Sequence, residues 1–195
     1  MPTRTGDFRA RAPALTIGSH NVRGIRGKLD GLVESWQRAA YDVILVTETH
    51  LEEEFQFGID QRLHDAGWQA YWKHGTRRSA GVGILIRSCL IDSGAVTVVD
   101  CPPTVIAGGD YMGRCLSIRL SWGGHSFDCC VAYLHNDSAS QRAMITSLLA
   151  ALQASQHPVV LGGDFNFVED IGLDRMSLAT GGSQHHPRNH TDPPA

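Results

Sequence analysis

Apolar positions follow two rhythms along this chain. Leu29, Leu32, Val33 and Trp36 fall at i, i+3, i+4 and i+7, one stripe on a helix, so Arg26 to Ala40 is expected to be helical. Phe55, Ile59, Leu63 and Ala66 set a second helix, stopped by Gly67. Ile145, Leu148, Leu149 and Leu152 set a third over Ser138 to Gln156, with Asp137 or Ser138 as its N-cap. The other rhythm is that of strands. Asp42-Val43-Ile44-Leu45-Val46 and Pro158-Val159-Val160-Leu161 are short continuous apolar runs, the pattern of strands buried on both faces. Leu15 to Gly18 makes a shorter strand, and Trp68 to Trp72, Gly81 to Arg87 and Ala95 to Val99 also read as strands. Leu116, Ile118, Leu120 and Trp122 alternate along a strand, as do Phe127, Cys129, Val131 and Tyr133. The Gly123-Gly124 pair between them is a hairpin signal. Helices interspersed among many strands predict an α/β layered domain of mixed sheets. Met1 to Pro13 is expected to be a disordered leader, 14–178 the folded domain and 179–195 a disordered tail rich in Gly, Pro and His.

Composition narrows this picture modestly. At 195 residues and 42% hydrophobic, one domain with a real core is expected. The net charge of −3 excludes a uniformly basic surface but not a local nucleic-acid site. Lys28 and Lys73 are the only lysines, so the positive charge is mostly arginine, whose planar fork suits phosphate. Cys89, Cys101, Cys115, Cys129 and Cys130 are odd in number and contain no C-x-x-C pair, so neither a disulfide framework nor a zinc site is indicated. Reduced thiols in an intracellular protein are expected. The polar, arginine-bearing N-terminus carries no apolar signal segment, and no apolar run is long enough to span a membrane. No obligate protein partner is evident.

Chemistry gathers where the apolar runs end. The first strand ends near Asn21, the second at Glu48, and Leu161-Gly162-Gly163 leads to Asp164 and Asn166. The two glycines are expected to turn the chain tightly. Asp164 and Asn166, two apart in an extended segment, would point to one side. In layered α/β folds, ligands sit at strand ends of this kind. Two carboxylates and two amides converging there would suit Mg²⁺ or Mn²⁺ and a phosphodiester rather than a soft metal. Arg23, Arg26 and Lys28 come after Asn21, where they could meet flanking phosphates. Each residue alone has a plainer reading. Asn21 is an ordinary turn former, Glu48 an ordinary solvated strand end, and Tyr133 a core residue of an alternating strand. His135 and Asn136 make a turn, Arg77 and Arg78 a solvated loop, and Asp164 a cap for the residues after it.

Four segments carry a family resemblance. They are Asn21-Val22-Arg23-Gly24, Val46-Thr47-Glu48-Thr49-His50-Leu51, Gly81-Val82-Gly83-Ile84-Leu85-Ile86 and Leu161-Gly162-Gly163-Asp164-Phe165-Asn166. From about Leu15 to Arg175 the chain resembles the endonuclease/exonuclease/phosphatase superfamily, which includes apurinic endonucleases and DNase I-like enzymes. With Leu173-Asp174-Arg175, the last segment is similar to endonuclease domains of LINE-type retrotransposons. The resemblance implies a DNase I-like sandwich and Mg²⁺-dependent hydrolysis of a phosphodiester, most plausibly in DNA, with no covalent enzyme intermediate. It implies that Glu48 is the main metal ligand and that Asn21 helps to bind metal or phosphate. Asp164 would orient or deprotonate the attacking water, and Asn166 would hold that water or the phosphate. Tyr133 would stabilise the transition state, with Asn136 supporting its loop.

Family members also carry a late Ser-Asp-His motif, and none occurs here; His185, His186 and His190 lie in the tail in a different context. The fold is therefore expected to be incomplete at its C-terminus, with an unpaired sheet edge and weak or no catalysis. A non-catalytic nucleic-acid-binding relic and a phosphatase of inositol phosphates or lipids are the competing readings.

Overall fold

The computed structural model describes residues 14–100 and 113–167. The elements within them are β1 (Ile17–Asn21), α1 (Leu29–Arg38), β2 (Val43–Thr47), α2 (Glu53–Asp65), β3 (Trp68–Lys73), β4 (Val82–Arg87), α3 (Ser88–Asp92), β5 (Val96–Asp100), β6 (Cys115–Trp122), β7 (His125–Tyr133), α4 (Ser138–Ala154) and β8 (Val159–Asp164). They form two four-stranded mixed sheets, ordered β1-β2-β4-β3 and β5-β6-β7-β8. The pairs β1/β2 and β7/β8 are parallel and the other ladders antiparallel. The expected α/β sandwich flanked by helices is what the chain adopts.

Strand β2 shows why there are two layers. All five of its residues are buried, and its alternating side chains go to different cores. Val43 and Leu45 face the space between the sheets, joining Ile84 and Ile86 of β4 and Ile118, Leu120, Cys129 and Val131 of the second sheet. Ile44 and Val46 face outward, beneath Leu29 and Trp36 of α1 and Ile59 and Leu63 of α2. A third cluster, with Leu134, Met144 and Leu148, forms under α4. Each buried Leu, Ile or Val contributes roughly 1.5–3 kcal/mol by leaving water. These layers fix the strand directions, and hence which strand ends lie together. The β6–β7 turn has φ values of 58° and 79° at Gly123 and Gly124, the left-handed pair that a two-residue hairpin needs.

Several expectations are corrected. Strand β1 runs through Asn21 instead of stopping at Gly18. Helix α1 is shorter than Arg26 to Ala40, because residues 25–28 form a turn in which the Lys28 amide donates to the Ile25 carbonyl. Within α4, Met144 is buried and Leu149 is 51% exposed, so the buried edge is rotated from the expected stripe. Strand β8 is not buried on both faces. It is an edge among the described strands, with Val160 36% exposed. Gly162 and Gly163 lie inside β8 rather than in a turn before Asp164. Gly163 has φ 146°, and a Cβ there would overlap the Ala132 carbonyl oxygen of β7. The glycine lets two backbones approach closely. Cys89, Cys115, Cys129 and Cys130 are free thiols, while Cys101, residues 173–175, the leader and the tail lie outside the described residues. No described helix is long and apolar enough to cross a membrane.

Candidate active site

Two parallel ladders bring four chain segments to one edge of the sandwich. The register pairs Asn21 with Thr47 and Tyr133 with Asp164. Asn21, Tyr133 and Asp164 are each the last residue of a strand, and Glu48 comes directly after β2. Stacking of the sheets then sets Asn21 beside Asp164.

The Asn21 amide is the hub. Its Nδ2 donates to Glu48 Oε1 at 3.0 Å and to Asp164 Oδ2 at 2.6 Å, and its Oδ1 accepts from the Arg23 amide at 3.2 Å. These contacts lie in half-buried or exposed surroundings open to a substrate. Glu48 holds φ 53°, a conformation that costs a non-glycine residue about 1 kcal/mol or more. Hydrogen bonds on both sides hold it there. The Gly24 amide donates to the Glu48 carbonyl at 2.7 Å, and the flanking Thr49 and His50 amides donate to Gly81 and Ala80 carbonyls at 3.0 Å each.

Asp164 and Asn166 do not lie side by side on an extended segment. Asn166 has φ 51°, and its amide donates to Asp164 Oδ1 at 3.0 Å while its Nδ2 donates to the Leu134 carbonyl at 2.6 Å. One oxygen of Asp164 thus accepts from the backbone two residues on, and the other faces Asn21.

Tyr133 joins the two halves of the site. Its hydroxyl lies near Glu48 and Asn166, and the Arg114 guanidinium sits 4.7 Å over its ring. Burial pushes the phenol pKa up, Glu48 pushes it the same way, and Asn166 and Arg114 oppose them. Arg114 also donates to the Tyr133 and Leu134 carbonyls, at 3.4 Å each. His135 is held below its ordinary pKa by burial and by Arg114, against the pull of Asp137.

The remaining expected residues divide. Asn136 is exposed on the β7–α4 loop, and no described hydrogen bond joins it to the hub. Arg23, Arg26 and Lys28 line an open cleft next to Glu48, together with His50 and Arg77. Arg26 lies 3.5 Å over the Phe55 ring, and Lys28 Nζ donates to the Val22 and Arg23 carbonyls at 3.3 and 2.8 Å. Those two cations therefore also brace the turn. Reading the sequence missed Arg77, His50, Arg114 and Gln141 as site residues. Their only signal was a basic Lys73–Ser79 segment and a His beside Glu48.

Among the described residues, no three His, Cys, Asp or Glu side chains come together as a metal cluster. Glu48 and Asp164 nevertheless aim one oxygen each at the same amide nitrogen. Two carboxylate oxygens drawn to one point are hard oxygen donors of the kind that Mg²⁺ or Mn²⁺ takes, and these ions usually keep several waters. The residues fit such an ion.

The strand ends of this α/β sandwich pool carboxylates, amides and a tyrosine beside a cationic cleft. The chain belongs to the Endonuclease/Exonuclease/phosphatase family, whose model matches residues 18–193. Solved structures of the same fold include an AP endonuclease from Archaeoglobus fulgidus, 21% identical with TM-score 0.60, the match covering 78% of this chain and 58% of that one. A second is D. rerio TDP2 complexed with a single-strand DNA product, at 18% identity and TM-score 0.58, with 80% and 62% covered. A third is the 3′ phosphatase NExo from Neisseria bound to a product DNA hairpin, at 22% and 0.54, with 78% and 58% covered. This chain thus spans about three fifths of the length of each. No curated protein matches it.

Proposed function

We propose that the chain carries a divalent-metal-dependent phosphodiester hydrolysis site that acts on DNA. The observation that carries this reading is the single Asn21 amide shared by Glu48 and Asp164, with Tyr133 beside the same group. Glu48, helped by Asn21, would hold Mg²⁺ or Mn²⁺. When bound, such an ion neutralises phosphate charge and stabilises the transition state by several kcal/mol. Asp164 is placed to orient or deprotonate the attacking water. Asn166 keeps the Asp164 loop in register through its bond to the Leu134 carbonyl. Tyr133, kept protonated by burial and Glu48, is a hydrogen-bond donor for a developing oxyanion. Arg23, Arg26, Lys28 and, in addition, Arg77 give the neighbouring cleft its affinity for flanking phosphates. The likeness of Leu161–Asn166 and Leu173-Asp174-Arg175 to LINE-type endonuclease domains supports a retrotransposon origin.

The test is nicking of supercoiled plasmid with Mg²⁺, with and without chelator, beside Glu48→Ala and Asp164→Ala. Chelator-sensitive nicking is expected, lowered at least about 100-fold in both variants. No nicking from the folded wild-type chain would refute the catalytic reading. It would favour a non-catalytic nucleic-acid-binding protein.

A further inference from the structure

The two sheets bring different chemistry to the site. The first sheet's loops supply the cations of the cleft, Arg23, Arg26, Lys28, His50 and Arg77. The second sheet supplies an aromatic ring. Phe167 comes directly after Asn166 and is 59% exposed. Its placement is supported from below. Phe165 packs against the core under α4, and the two rings lie 6.0 Å apart with a 34° tilt. Gln141 Nε2 of α4 donates to the Phe165 and Asn166 carbonyls at 2.9 and 3.2 Å. Asn166 is tied to Leu134 as well. An exposed ring on a loop braced at three points is a platform, held one residue from groups assigned to the reacting phosphate.

We infer that Phe167 stacks an unpaired nucleobase next to the reacting phosphate, so that single-stranded DNA is preferred over continuous duplex. This rests on the phosphodiester reading above. A base lies within one side chain's reach of its own phosphate, and every base offers a flat face to an aromatic ring. In duplex DNA that face is covered by the neighbouring base pair, and uncovering it requires unstacking. The cationic cleft, in contrast, grips backbone without regard to pairing. The strand would therefore run from the cleft, across Asn21 and Glu48, to Phe167.

The experiment is equilibrium binding by fluorescence anisotropy in chelator, where no turnover occurs. A fluorescein-labelled single strand and the duplex of the same sequence are titrated with wild type, Phe167→Ala, Phe167→Tyr and Arg77→Ala over a range of salt. Wild type should prefer the single strand. Phe167→Ala should weaken single-strand binding about five- to 100-fold with an unchanged salt slope, leave duplex binding unaltered, and be rescued by Phe167→Tyr. Arg77→Ala should weaken both DNAs and lower the salt slope by roughly one unit. Equal affinity of Phe167→Ala and wild type for the single strand, or an equal loss on both DNAs, would overturn the stacking role while leaving the phosphodiester reading intact. Failure of folded wild type to bind either DNA would overturn both.

Discussion

Replacing Asn21 by Asp is the sharpest probe of the site, because it changes one NH₂ group to oxygen with almost no change in shape. In the wild type that group lies 3.0 Å from Glu48 Oε1 and 2.6 Å from Asp164 Oδ2. Hydrogen bonds to ionised partners contribute about 1.5–3 kcal/mol each, so losing both removes about 3–6 kcal/mol. The new carboxylate also repels the two already there. All three residues keep some exposure to solvent, and solvent screening draws the net loss toward the lower end, about 3 kcal/mol. For a domain of this size that corresponds to a fall in Tm of roughly 6–12 °C. Urea and thermal denaturation in chelator at neutral pH measure it. Asn21→Ala, which deletes the donor without adding charge, should lose less. Millimolar Mg²⁺ should narrow the gap between Asn21→Asp and wild type, because a cation offsets the added repulsion and stabilises whichever folded state binds it. A loss under about 1 kcal/mol, or an Asn21→Ala loss equal to the Asp loss, would refute the argument that Asn21 holds two anions together.

Further outcomes arise from the packing and from one ion pair. Gly163→Ala should destabilise the fold by more than about 3 kcal/mol, since the new methyl meets a β7 carbonyl at a φ that side chains avoid. Gly31→Ala, in α1 with open space around it, should stabilise by about 0.5–1 kcal/mol, and urea midpoints for the two variants test both claims. Burial raises the Asp128 pKa, but hydrogen bonds from Arg119 and Ser155, with the Arg119 charge, outweigh it and hold the carboxyl below its ordinary range. The folded pKa is thus below the unfolded one. The resulting stability is present above an unfolded value of about 3.9 and is lost as pH falls through the folded one. Arg119→Met should flatten this acid limb in urea midpoints measured from neutral pH downward.

Much of the site was legible because apolar runs locate strand ends. Glu48 and Asp164 each come after such a run, and Asn21 and Tyr133 end short strands, so listing the polar residues at those points already collected the hub. What could not be read was contact between segments far apart. Arg114 acts on Tyr133 across the sheet, and Gln141 reaches Phe165 and Asn166 from α4; neither has a local pattern. Asn166 was misjudged because a left-handed residue reads in sequence like an extended one. Strand β8 was misjudged because an apolar run looks the same at an edge as in the middle of a sheet. Helix α3, at five residues, is too short to show periodicity. The stripe of α4 was rotated because Met144, Ile145, Leu148 and Leu149 make a broad apolar arc with no sharp boundary.

The Asn21–Asp164 hydrogen bond spans 143 positions of the chain. During synthesis, Asn21 and Glu48 leave the ribosome long before Asp164 does. At about 5–20 residues per second, that interval is several seconds or more. Until then the hub has one of its two carboxylates, and the loop that closes on Asp164 is the entropically slow kind. The proposed phosphodiesterase site therefore stays incomplete until β8 has been made, and the activity proposed for it would begin only when the two sheets have met. The same arrangement makes function an all-or-none reporter of folding. A chain nicked anywhere between β2 and β8 can keep its helices and still lose the pairing that brings the anions together.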